Sequence, residues 1–163
     1  MANLLHNPPL SLYVHIPWCV RKCPYCDFNS HAAPGDLPGK EYIEALVADL
    51  ETDLPLVWGR PLQSIYFGGG TPSLFGADLI AQFLTAARAR LAFRPDIEIT
   101  LEANPGTIEH DSFSAYGEAG VNRVSLGVQS FDNDLLKRIG RIHGRLEVEQ
   151  CLQSLKTAGI SNF

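Results

Sequence analysis

Hydrophobic positions along this chain switch between the two-residue period of strands and the 3.6-residue period of helices. From Ser11 the segment SLYVHI is apolar with strand character, and it stops at Pro17, which has no N–H to give a ladder. The prolines and glycines of HAAPGDLPG then forbid regular structure until Lys40. From there Tyr42, Ile43, Leu46, Val47, Leu50 and Leu54 fall on one helical face, with Glu41, Glu44, Asp49 and Glu51 mostly turned away. Ser64 to Phe67 predicts a second strand, which runs straight into Gly68-Gly69-Gly70-Thr71-Pro72. Leu79, Ile80, Phe83, Leu84, Ala87 and Leu91 predict a second amphipathic helix, and Ile97 to Ala103 a third strand closed by Asn104-Pro105-Gly106. A short helix around Asp111 to Ala119 precedes a fourth strand, Arg123 to Gln129. A last helix carries Val148, Cys151, Leu152 and Leu155 on its buried face.

Strands separated by helices imply parallel pairing with right-handed crossovers, so the chain reads as an α/β domain. Ala158-Gly159-Ile160-Ser161 repeats the helix exit Ala119-Gly120-Val121-Asn122, and by that parallel Ile160 to Phe163 begins a fifth strand. A full barrel of eight such units takes about 250 residues, so the expectation is a partial (β/α) barrel truncated at its fifth strand. Residues 1–10 form a lead-in and 11–163 the barrel domain. In such folds functional residues gather at the C-terminal ends of strands, and there the unusual stretches stand: the cysteine-rich CVRKCPYC, GGGTP, EANPG and VQSF.

With 45% hydrophobic residues in 163, the chain can build a sizeable core. A net charge of −5 with no basic stripe argues against a nucleic-acid partner. MANLLHNPPL lacks the pattern of a secretory leader, and no apolar run is long enough to span a bilayer, which together predict a cytoplasmic protein. In that reducing compartment three thiols within eight positions are metal ligands rather than disulfide partners.

The spacing of Cys19, Cys23 and Cys26 lets each thiolate reach a different iron of a 4Fe-4S cubane, leaving the fourth iron without a cysteine. Cys151, on an apolar helix face, is better explained as a small buried hydrophobe. The competing ligand set is zinc with His15 or His31 as the fourth donor, as in a zinc-stabilised α/β domain, although structural zinc favours paired C-x2-C units. His15 reads as a hydrogen-bonded core residue and His31 as a solvated one. Three glycines exceed what a strand-to-helix turn needs, which suggests a backbone that approaches a ligand. Glu102, on a strand expected to be buried on both faces, requires a partner.

The combination of Tyr13-Val14-His15-Ile16-Pro17-Trp18-Cys19, Cys23-Pro24-Tyr25-Cys26-Asp27-Phe28, Tyr66-Phe67-Gly68-Gly69-Gly70-Thr71-Pro72-Ser73, Glu102-Ala103-Asn104-Pro105 and Gly127-Val128-Gln129-Ser130-Phe131 resembles the radical S-adenosylmethionine (radical SAM) proteins. Within them it is similar to the branch that contains oxygen-independent coproporphyrinogen III oxidase and the heme chaperones. The resemblance implies a 4Fe-4S cluster on Cys19, Cys23 and Cys26 whose open iron chelates S-adenosylmethionine, and an electron from the cluster that yields an adenosyl radical. It implies that Gly68, Gly69 and Gly70 approach the methionine end of the cofactor. It also implies that Tyr13 and Glu102 contact the cofactor at the cluster, whereas Tyr25, the Gly70-Thr71 step, Gln129 and Arg141 match positions around a second S-adenosylmethionine. Phe28 stands where the oxidase has a further cysteine, and only about ten residues precede the first strand, where the oxidase has an extension. Both departures favour a heme chaperone, with heme as cargo for an unknown acceptor and an electron donor if radical chemistry occurs. The enzyme alternative is oxidative decarboxylation of coproporphyrinogen III.

Overall fold

The computed structural model describes residues 7–33, 35–106 and 111–163. Residues 1–6 of the expected lead-in therefore lie outside the described residues. In chain order the elements are β1 (Leu10–Ile16), β2 (Trp18–Cys19), β3 (His31–Ala32), α1 (Gly39–Val57), β4 (Leu62–Gly69), a 3-10 turn (Pro72–Leu74), α2 (Ala77–Arg88), β5 (Phe93–Ala103), α3 (Phe113–Ala119), β6 (Arg123–Leu126), α4 (Asn133–Arg138) and α5 (Arg145–Thr157).

Strands β1, β4, β5 and β6 form one parallel sheet in that order. Because side chains alternate across a strand, register decides which residues share a face. Val14, Phe67, Leu101 and Val124 stand opposite one another across the four strands and are all buried. They pack with Ile43 and Leu50 of α1, Ile80, Phe83 and Leu84 of α2, and Phe113 and Tyr116 of α3. Full burial of a side chain such as Phe67 or Leu101 is worth about 1.5–3 kcal/mol. The neighbouring row, Tyr13, Tyr66, Thr100 and Arg123, faces the other way. That second face is polar, which corrects the expectation of strands buried on both sides: among the described residues the helices cover one face only.

Several boundaries differ from the sequence reading. Strands β4 and β5 start earlier, because Leu62 and Phe93 already pair with each other ahead of the central ladder. Strand β6 ends at Leu126 instead of running to Gln129, whose φ of 66° turns the backbone away from extended geometry. The region after Pro17 is not wholly irregular, since Trp18–Cys19 pairs with His31–Ala32. Helix α4 was not anticipated; Asp132 caps it by accepting from the N–H groups of Asp134 and Leu135. Ile160 to Phe163 forms no strand, although Val124 N–H donates to the Asn162 carbonyl as a fifth strand would require.

Candidate functional site

The start of the cysteine loop is fixed by aromatic packing. Trp18 stacks on Phe75 at 5.6 Å between ring centroids and meets Tyr42 edge-on at 4.7 Å, while the Tyr42 hydroxyl donates to the carbonyl of His15. Cys19 follows directly and is buried. The loop then closes on itself. His31 N–H donates to the Pro17 carbonyl at 2.7 Å, Ala33 N–H to the Cys19 carbonyl at 2.8 Å, and Cys26 N–H to the Cys23 carbonyl at 3.1 Å. Lys22 crosses the loop and gives its ammonium to the carbonyls of Phe28 and Ser30.

The glycine turn that ends β4 is strapped to this loop. Gly70 N–H donates to the carbonyl of Ile16 and Thr71 N–H to that of Trp18. A Cβ on Gly70 would lie 2.5 Å from the Trp18 carbonyl oxygen, and Gly69 adopts φ +117° beside the ring of His15. A Cβ on Gly68 would meet the rings of Tyr66 and Tyr13. Each glycine thus has a packing reason within the protein, which corrects the argument that three glycines exceed the needs of the turn.

Glu102 has the partners its position demands. The Tyr66 hydroxyl donates to one oxygen at 2.7 Å and Gly69 N–H to the other at 3.2 Å. Burial pushes the Tyr66 phenol above its usual range, so it stays a donor. Thr71 is buried, and its hydroxyl accepts from the Asn104 amide at 3.0 Å.

Arg141 joins these pieces. Its Nη2 donates to Asn104 Oδ1 and to the Gly127 carbonyl, each at 2.6 Å, and its Nη1 donates to Cys23 Sγ and to the Tyr25 hydroxyl, each at 3.3 Å. The turn that carries it packs on the cysteine loop, for a Cβ on Gly140 would lie 2.8 Å from Pro24 Cδ. Burial raises the Tyr25 phenol, opposed by the Arg141 cation.

A cleft of about 310 Å³ opens among these groups. Cys19, Cys23 and Cys26 line it together with Tyr25, Gly69, Gly70, Thr71, Glu102, Gln129 and Arg141. Tyr13 is not among its lining residues: it is largely exposed, stacks on Tyr66 and donates to His15 Nδ1 at 2.9 Å. His15 Nε2 donates to the Asn29 carbonyl and His31 Nε2 to Asn29 Oδ1, and neither histidine lines the cleft. Cys151 packs against the hydrophobic core instead. Among the described residues no three Cys, His, Asp or Glu side chains converge as they would around a single metal ion. Three thiols spread along one cleft suit a compact cluster, whose irons take one thiolate each.

Two lining residues escaped the sequence reading. His143 is buried and donates from Nε2 to the Val128 carbonyl at 3.0 Å. Asn104 served there only as a strand terminator, yet it links Thr71 to Arg141. An Asn before Pro-Gly at a strand end signals a side chain that hydrogen-bonds across a turn, though not to which partners.

Residues 13–163 match the family model described as the Radical SAM superfamily. The chain is 52% identical over 156 residues to the heme chaperone HemW of Escherichia coli, covering 96% of this chain and 41% of that protein. It is 51% identical over 160 residues to the heme chaperone HemW of Haemophilus influenzae, covering 96% and 42%. Among solved structures it is similar to the coproporphyrinogen III oxidase HemN of Escherichia coli, a radical SAM enzyme, with a TM-score of 0.83 and 31% identity over 94% of this chain and 35% of that one. The chain therefore spans about two fifths of the length of the curated relatives it matches.

Proposed function

The chain belongs to the radical SAM superfamily and is similar to its HemN-like branch, and we propose that it is the cluster-bearing N-terminal part of a cytoplasmic heme chaperone. The boundary of that part is 11–163, and the whole protein passes heme to an acceptor. Cys19, Cys23 and Cys26 hold a 4Fe-4S cluster. When bound, that cluster supplies an open iron for S-adenosylmethionine and one electron for its cleavage. Glu102 and the Gly69 backbone border the first S-adenosylmethionine, and Tyr13, stacked on Tyr66 on the same face of the sheet, belongs to that site. Tyr25, the Gly70–Thr71 step, Gln129 and Arg141 border the remainder of the cleft, the place for a second S-adenosylmethionine.

The observation that carries the reading is the presence of the three thiols on one cleft with Glu102 and Arg141. Phe28 supports a chaperone over an oxidase: it lies 63% exposed at the cleft, where the resemblance puts a further cysteine in the oxidase. No helix among the described residues is long and apolar enough to cross a membrane.

The test is iron and sulfide analysis of the anaerobically reconstituted protein, with electron paramagnetic resonance of the reduced sample before and after S-adenosylmethionine. A cubane signal that changes with the cofactor is expected, and in the whole protein saturable binding of hemin with no decarboxylation of coproporphyrinogen III. Zinc in place of iron overturns the cluster reading, and decarboxylated product overturns the chaperone reading.

A further inference from the structure

Arg141 is a half-buried cation whose hydrogen-bond acceptors are an amide oxygen, a backbone carbonyl, a phenol and a thiol. Its Nε is buried and finds no hydrogen-bond partner among the described residues. Among the described residues no carboxylate lies within ion-pair distance of it, although arginines elsewhere in the chain find Glu51, Asp96, Glu98 and Glu149. The guanidinium is thus a half-buried positive charge with no carboxylate partner among the described residues. Of its four acceptors, only the sulfur of Cys23 and the phenol of Tyr25 are able to carry negative charge, and burial pushes the phenol up, toward its neutral form.

We propose that Arg141 sets the reduction potential of a cluster held by Cys19, Cys23 and Cys26, through an N–H···S hydrogen bond to Cys23 from a guanidinium anchored by Asn104 and Gly127. The inference rests on the cluster reading above. One-electron reduction by an external donor such as dithionite adds a negative charge to the cluster and its thiolates. A cation that donates to a ligating sulfur stabilises the reduced state more than the oxidised one and so raises the potential. Rigidity matters as much as charge. Nη2 is held by two short hydrogen bonds to the ends of β5 and β6, which leaves Nη1 aimed at the loop. Arg141 is in this sense a positioning residue, acting on the cofactor through its ligand.

Arg21 offers a comparison, since it also lines the cleft but is exposed, where solvent and salt screen its charge. Lys22 is exposed and committed to the carbonyls of Phe28 and Ser30. Of the three cations, Arg141 alone donates to a cysteine of the loop.

The experiment is an anaerobic redox titration of the reconstituted protein, with the reduced cluster counted by electron paramagnetic resonance. In Arg141→Gln the reduced-to-oxidised ratio at a fixed potential should fall about tenfold, which for a one-electron couple is about 59 mV. Arg141→Lys keeps the charge without the fork and should fall in between, and Arg21→Gln should leave the ratio where it was. An unchanged potential in a fully loaded Arg141→Gln overturns the proposal, as does an equal shift in Arg21→Gln. If Arg141→Gln fails to hold the cubane, Arg141→Lys decides by the same titration; loss of the cubane in both shows a structural latch and overturns the electrostatic role. A wild-type protein that holds no cubane defeats the cluster reading itself, which is a separate failure.

Discussion

The Tyr66 hydroxyl donates to the Glu102 carboxylate across strands β4 and β5 at 2.7 Å, on the polar face of the sheet. The same carboxylate accepts from Gly69 N–H, so one side chain ties the middle of β4 to the glycine turn that ends it. In Glu102→Gln one oxygen still serves Tyr66, but the amide nitrogen cannot accept from Gly69. The lost acceptor is worth about 1 kcal/mol. The thermal midpoint should fall by about 2–4 °C, and S-adenosylmethionine should perturb the reduced cluster signal less than in the wild type.

Gly70→Ala should be costlier than its size suggests. The added methyl would face backbone atoms of Pro17 and Trp18, which cannot move aside without shifting Cys19. Overpacking of this kind costs about 1–3 kcal/mol. Urea denaturation should show a lower midpoint and reconstitution a lower iron content. Gly117→Ala is the control: nothing lies within 4 Å of the position on helix α3, and there Ala should be neutral or stabilise by about 0.5–1 kcal/mol.

The pH dependence of stability should carry the mark of His143. Burial holds its imidazole below the ordinary range, opposed by the Val128 carbonyl and reinforced by the Arg141 charge. The unfolded chain therefore takes up the proton first. Stability is full above the unfolded value of about 6.5 and declines as pH falls below it, until the folded imidazole also protonates. Thermal midpoints between pH 7.5 and 5.5 should slope downward toward acid, and the slope should flatten in His143→Gln. A steeper slope in the variant would show that the charge rests elsewhere.

Alanine at Cys19, Cys23 or Cys26 should abolish the cluster, each on its own. Cys151→Ala should keep full iron and sulfide content and lose at most about 1 kcal/mol of packing, since Cys151 lies against the core and outside the cleft. Loss of iron in that variant would assign it the fourth ligand position.

Periodicity located every strand of the main sheet because Val14, Phe67, Leu101 and Val124 each sit in an alternating apolar run. The cysteine spacing and the motif resemblance pointed to the cleft itself. Other features depend on partners distant in sequence. Nothing local to Arg141 reveals that it reaches Cys23, more than a hundred positions away. Helix α4 escaped because six residues are too few for a 3.6-residue pattern to register, and a side-chain cap at Asp132 defines its start. The glycines of GGGT were recognised as special, but their reasons, the rings of Tyr13, Tyr66 and His15 for the first two and the Pro17–Trp18 backbone for Gly70, are visible only once β1 and β4 are paired.

The hydrogen bonds that close the neck of the cysteine loop run between residues 17–33, whereas its outer tethers come from Thr71 and Arg141, which Asn104 joins. On a growing chain the guanidinium that reaches Cys23 is made 118 positions after it, later than every other tether of the loop. The roughly hundred residues between them take on the order of 5–20 s to synthesise. Until then the loop lacks the contacts from Arg141 to Cys23 and Tyr25, so the latch on the cysteines is the last part of the site that the growing chain supplies.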